Sequence, residues 1–176
     1  MGPIELFDEV GIDVAYKVAK ILAVSMGDRM AESDMLDKLV KDNRIGKKSS
    51  IGFYKYEGKK KISDPAIKSY IEVKEKIELN DVDLINRMVY PMINEAARCL
   101  EERIATRPQD VDLGMIFGTG FAPFRGGLLT FADNEGISKV YETLQSLTES
   151  DHNRFKPSSA LENVYKSGKG FYDYYQ

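Results

Sequence analysis

An all-α fold built from a duplicated helical domain is what this sequence predicts, on three observations. Apolar residues recur at helical spacing almost throughout, and no segment alternates convincingly as a strand. Residues 2 to 41 lie over residues 127 to 166 at a constant offset of 125 without a gap. Gly2, Asp8, Gly11, Ile12, Tyr16, Ser25, Arg29, Ser33, Leu36 and Lys41 thereby fall on Gly127, Asp133, Gly136, Ile137, Tyr141, Ser150, Arg154, Ser158, Leu161 and Lys166. Both copies then close on one phrase, Gly52-Phe53-Tyr54-Lys55-Tyr56 and Gly170-Phe171-Tyr172-Asp173-Tyr174. A period this long exceeds the roughly 20 to 50 residues of a solenoid unit and marks a domain duplication.

The second copy has a front half, about residues 81 to 126, without a counterpart in the first, which therefore reads as truncated. The expected organisation is a truncated first copy over 1–57, a connector with a helix over 58–80, and a complete second copy over 81–176. A chain that begins inside a repeat is expected to be a piece of a larger polypeptide, with function partly upstream.

The elements follow in order. Asp13 to Val24 places Val14, Val18, Ile21 and Leu22 on one stripe, so an amphipathic helix is expected there, ending near Gly27. Ser33 suits the N-cap of the next, with Leu36, Leu39 and Val40 facing in and the end before Gly46-Lys47-Lys48. Lys47 to Tyr56 reads as a basic loop that tucks Phe53 and Tyr54 against the core. Gly58-Lys59-Lys60-Lys61 reads as a flexible linker, and Ser63 with Pro65 opens a charged surface helix to about Leu79, striped by Ile67, Tyr70, Ile71, Lys74 and Ile77. Val82 to Ile104 is the core helix of the second copy, with Val82, Ile85, Val89, Met92, Ile93, Ala96, Ala97 and Leu100 on its broad face and a kink expected from Pro91. Thr106 to Gln109 reads as a capping box opening a helix that stops at Gly118. Short helices after Gly127, Gly136 and Ser158 complete the pattern.

Composition narrows the function classes. The chain has 176 residues and a net charge of -3, which gives no electrostatic footprint for nucleic acid. One cysteine, Cys99, cannot make an internal disulfide and fits a reducing intracellular compartment. No apolar run reaches the roughly 18 residues of a membrane span. The N-terminus carries no signal-peptide pattern, and Tyr174-Tyr175-Gln176 is no peroxisomal address.

Candidate chemistry is thin. Gly118-Thr119-Gly120 with Gly126-Gly127 resembles a phosphate loop only superficially, because Pro123 stands where the third glycine of a dinucleotide fingerprint belongs, and a helix precedes it. A tight left-handed turn that carries Phe121 and Phe124 inward is expected instead. His152 is the sole histidine and lies in a polar stretch, so neither a zinc site nor a catalytic triad is expected, and metal ligands are set at none. Cys99, beside Leu100 on the main helix, reads as a buried inert thiol. Glu101-Glu102-Arg103, Lys59 to Lys61 and Lys47-Lys48 read as solvated charge.

Gly2-Pro3-Ile4-Glu5-Leu6-Phe7-Asp8-Glu9-Val10-Gly11-Ile12-Asp13, then Gly46-Lys47-Lys48 and Gly52-Phe53-Tyr54-Lys55-Tyr56, resemble the C-terminal helical domain of 3-hydroxyacyl-CoA dehydrogenases. The second copy carries the same resemblance through Asn86-Arg87, Asn94-Glu95-Ala96, Asp110-Val111-Asp112, Gly118 to Gly127 and Gly168-Lys169-Gly170-Phe171-Tyr172. Two tandem copies resemble the multifunctional alpha subunits of fatty-acid β-oxidation. The resemblance implies a helical fold of the 6-phosphogluconate dehydrogenase C-terminal-like type. It also implies a parent enzyme that oxidises L-3-hydroxyacyl-CoA to 3-ketoacyl-CoA with NAD, often fused behind an enoyl-CoA hydratase domain. The family's histidine base and its glutamate partner belong to the nucleotide-binding domain, upstream of Met1. The family's Asn-x-Pro-Gly-Phe phrase is missing from the first copy, and Leu79-Asn80-Asp81-Val82-Asp83-Leu84 departs from it in the second. No catalytic or cofactor-binding residue is therefore transferred, and NAD is expected in the parent rather than on this portion.

What remains is a wall and assembly role. Gly2, Pro3 and Phe7, with Gly127, Leu128 and Phe131, are the candidate substrate or domain-interface residues, because a tandem copy can pair within one chain as single-copy relatives pair between chains. The expected partners are an upstream nucleotide-binding domain, a 3-hydroxyacyl-CoA substrate and a thiolase subunit, in a bacterial cytoplasm or a mitochondrial matrix. The rival reading is a non-enzymatic helical interaction module on the same scaffold.

Overall fold

Glycine and proline punctuate both halves of the chain alike, and the helices start and stop where they do. The structure, a computed structural model, describes residues 1–30, 34–71, 78–151 and 155–176. These divide into two compact units, Met1–Ile77 and Glu78–Gln176.

In the N-terminal unit, Pro3 sits in the first turn of α1 (Pro3–Val10), where its missing N–H costs nothing. Gly11, at φ 107°, turns the chain directly into α2 (Ile12–Met26), a conformation closed to side chains with a Cβ. Helix α3 (Asp34–Lys41) packs on α2, and the Tyr16 hydroxyl donates to Asp37 across them at 2.6 Å. The expected N-cap Ser33 lies outside the described residues. The α2 stripe is corrected: Val14, Val18 and Ile21 are exposed, whereas Ile12 is fully buried. Periodicity marked a helix there, but nothing within the unit covers that side.

The fold is helical as expected, with one small two-stranded hairpin added. β1 (Tyr54–Glu57) pairs antiparallel with β2 (Lys60–Ser63), Tyr54 opposite Ser63 and Glu57 opposite Lys60. Gly58-Lys59 is thus a two-residue hairpin turn rather than a linker. Strands of four residues are too short for alternation to stand out from noise. A 3₁₀ turn follows at Pro65–Tyr70, and its N-cap is Asp64, which accepts from the Ala66 N–H at 3.2 Å, not Ser63. The helix expected to run to Leu79 is corrected at both described ends, since Ile71 is extended and residues 78–80 are not helical. Lys74 and Ile77 lie outside the described residues.

The C-terminal unit is led by α4 (Asp81–Glu101), capped by the Asn80 side chain, which accepts from the Asp83 N–H at 2.9 Å. It runs unbroken through Pro91. Its buried residues begin at Tyr90 and continue with Ile93, Asn94, Ala96, Ala97 and Leu100, so the expected inward placement of Val82, Ile85 and Met92 is corrected to exposed. Helix α5 (Pro108–Thr119) has Arg107 as N-cap without a side-chain cap, and Asp110 takes the Arg107 and Thr106 donors in place of the expected capping box. Then come α6 (Leu128–Glu135), α7 (Ile137–Asp151), α8 (Ser159–Ser167) and α9 (Phe171–Tyr174). Gly136, at φ 92°, repeats between α6 and α7 the turn made by Gly11. Helix α4 packs on α6, α7 and α8, enclosing Leu129, Val140, Leu144, Phe155, Leu161, Val164 and Phe171. Both units thus carry one three-helix order, α1-α2-α3 and α6-α7-α8.

Candidate functional site

The repeated closing phrase is explained by a carboxylate. In the N-terminal unit Asp8 on α1 is 1% exposed and accepts from the Phe53 N–H at 2.8 Å, the Tyr54 N–H at 2.9 Å and the Tyr56 hydroxyl at 2.9 Å. In the C-terminal unit Asp133 on α6 accepts from the Phe171 N–H at 2.7 Å and the Tyr172 N–H at 3.1 Å. The glycine that opens each phrase lets the backbone reach the carboxylate. A Cβ on Gly170 would stand 2.6 to 2.8 Å from the Asp133 carboxyl atoms, and one on Gly52 would strike Asp8. Charge-assisted bonds of this kind are about twice as strong as neutral ones. Burial pushes the Asp133 carboxyl above the usual range against the pull of its two N–H donors. Burial, with Asp8 beside it, also holds the Tyr56 hydroxyl protonated.

A further aspartate, Asp112, is buried and ties α5 to α6. Asp112 accepts from the Leu129 N–H at 2.6 Å, the Thr130 N–H at 3.0 Å, the Thr130 hydroxyl at 2.7 Å and the Tyr172 hydroxyl at 2.9 Å. The two N–H groups are orphan donors of the first turn of α6, at the positive end of its dipole. Gly127, at φ 115°, is required here because a Cβ would collide with the Asp112 side chain.

Arg44 braces the N-terminal unit. It is 6% exposed and donates through Nε and Nη2 to the Gly52 carbonyl, at 3.1 and 2.6 Å, and through Nη2 to Asp64 at 2.8 Å. The Arg44 guanidinium holds the Asp64 carboxyl below the usual aspartate range. The basic loop is not merely solvated: Lys47 pairs with Glu9, Lys48 with Asp13 and Lys61 with Glu5, and the last two carboxyls are held low by those lysines.

Chemically Asp8, Asp112 and Asp133 are acceptors for backbone N–H and hydroxyl donors, an arrangement that fits them to hold a fold. Among the described residues no cluster of three or more His, Cys, Asp or Glu is placed to hold a metal. No helix among them is long and apolar enough to cross a membrane. Gly118 and Thr119 lie inside α5 and Gly120 caps its C-terminus at φ 73°, so the glycine run joins helix to helix and does not fit the strand-to-helix cradle a dinucleotide needs. Phe121 packs edge-on against Phe131, with ring centres 6.3 Å apart, but Phe124 is 85% exposed, which corrects its expected inward placement. Cys99 is half-buried rather than buried. His152 lies outside the described residues.

The six candidate interface residues separate by unit. Gly127 and Leu128 are buried inside the C-terminal unit, and Phe131 is half-buried against Phe121. Their counterparts Gly2 and Pro3 are exposed, with Phe7 half-buried beside Phe53 at 6.0 Å. Sequence reasoning did not single out Asp8, Asp133, Asp112 or Arg44. The signal was present for two of them, since Asp8 and Asp133 are identical in the repeat and each precedes a phrase that differs only at Lys55 and Asp173.

The family described as 3-hydroxyacyl-CoA dehydrogenase, C-terminal domain, matches residues 1–56 and 84–174, one block in each unit. The fatty acid oxidation complex subunit alpha of Vibrio vulnificus (strain CMCP6) is 40% identical over 173 residues, covering 98% of this chain and 24% of that protein. The subunit of the same description from Vibrio cholerae serotype O1 is 42% identical over 173 residues, with the same coverage. The chain spans about a quarter of the length of these relatives. Among solved structures, 3-hydroxybutyryl-CoA dehydrogenase from Escherichia coli K12 shares the fold at a TM-score of 0.70 and 18% identity, over 96% of this chain and 52% of that one. The dehydrogenase part of multifunctional enzyme 1 from C. elegans does so at 0.61 and 23%, over 93% and 38%. With both units matched, this chain belongs to the family of 3-hydroxyacyl-CoA dehydrogenase C-terminal domains.

Proposed function

We propose that this chain is the C-terminal portion of an NAD-dependent L-3-hydroxyacyl-CoA dehydrogenase of fatty-acid β-oxidation, and that it supplies the acyl-CoA-side wall and the pairing surface of that enzyme. The observation that carries the reading is identity near 40% to fatty acid oxidation complex alpha subunits over 98% of the chain. The N-terminal unit is read as an incomplete copy of the C-terminal one, and the exposed Gly2 and Pro3 with Phe7 as its pairing edge. Gly127, Leu128 and Phe131 organise the matching edge of the second copy. The base, its orienting partner and the NAD site are assigned to a preceding nucleotide-binding domain, and a thiolase subunit is the expected partner in a bacterial cytoplasm.

Support for that division is chemical: Asp8, Asp112 and Asp133 are engaged by backbone N–H and hydroxyl donors, and Asp64 by Arg44. The test is 3-ketoacyl-CoA reduction followed by NADH absorbance, with this chain alone and with a separately expressed nucleotide-binding half. Turnover only on mixing is expected. Turnover by this chain alone would overturn the assignment of the chemistry upstream.

A further inference from the structure

We draw no further inference here: the strongest candidate, the cavity of about 220 Å³ at the start of α7 lined by Ser138, Tyr165 and Lys169, with Ser138 at the repeat position of the Asp13 that pairs with Lys48, rests on a helix N-terminus beside exposed side chains, and no second observation in the structure points to a ligand there.

Discussion

Gly170→Ala isolates the clamp in the C-terminal unit from every backbone effect. Gly170 sits at φ -81° and ψ 172°, a conformation any residue adopts, so alanine meets no dihedral penalty. What it meets is the Asp133 carboxyl, with Cβ distances of 2.6, 2.7 and 2.8 Å. The carboxylate must withdraw and release the Phe171 and Tyr172 N–H groups, now bonded at 2.7 and 3.1 Å. Bonds to a charged group contribute about 1.5 to 3 kcal/mol each, and the half-buried, partly solvated setting favours the low end, so the expected loss is about 2 to 4 kcal/mol. Urea unfolding followed by circular dichroism reads this as a midpoint lower by about 1 to 2 M at ordinary slopes. Amide exchange assigns the loss to the C-terminal unit. A double-mutant cycle completes the test, because Asp133→Ala removes the obstacle with the bonds: the pair is expected to cost little more than Asp133→Ala alone, a coupling of about 2 kcal/mol. Additive losses, or a Gly170→Ala protein within about 0.5 kcal/mol of the parent, would refute the reasoning.

Arg44→Leu is expected to lower the urea midpoint of the N-terminal unit and leave that of the C-terminal unit unchanged, read by residue-specific exchange, because it strands the Gly52 carbonyl and takes from Asp64 its buried guanidinium partner. The same variant has a pH signature: Asp64 is held below its ordinary value of 3.8 by Arg44, so its contribution is fully present above that value and lost as pH falls through the lowered one. Acid unfolding of that unit should become less steep in Arg44→Leu. Tyr172→Phe deletes the hydroxyl that donates to Asp112 at 2.9 Å and is expected to cost the C-terminal unit about 0.5 to 1.5 kcal/mol in the same denaturation assay. Leu144→Ala, at a fully buried core position, is expected to cost about 2 to 5 kcal/mol, measured by thermal and urea unfolding of that unit.

Duplication gives the two units one shared polar clamp and different apolar fillings. Asp8 and Asp133 hold the same phrase through the same backbone N–H groups. The stacked pair Tyr141 and Tyr165, with ring centres 4.3 Å apart, has Tyr16 and Val40 at its repeat positions, and Tyr16 bonds Asp37 instead. Hydrogen-bond geometry tolerates little change, whereas apolar volume can be redistributed among neighbours as long as the sum is kept. The aspartate of the clamp and the glycine that lets the backbone reach it are accordingly identical in both copies.

The sequence by itself determined that the chain is helical and duplicated, where most helices run, and which family its phrases resemble. Each of these rests on local or self-referential signals: helical spacing, glycine and proline punctuation, and comparison of the chain with itself. Tertiary structure decided which side of each helix is covered. Val14, Val18 and Ile21 form as good a stripe as Ile93, Ala97 and Leu100, yet only the second is buried, because helical spacing marks an amphipathic helix and not which side of it a neighbouring element covers. The hairpin of Tyr54–Glu57 and Lys60–Ser63 was likewise illegible, since four-residue strands gain their stability from pairing and not from their own pattern. The site behaved in the same way. Asp8, Asp112 and Asp133 look like ordinary helix-surface aspartates along the chain, and only folding brings donors 17 to 60 residues distant onto their carboxylates.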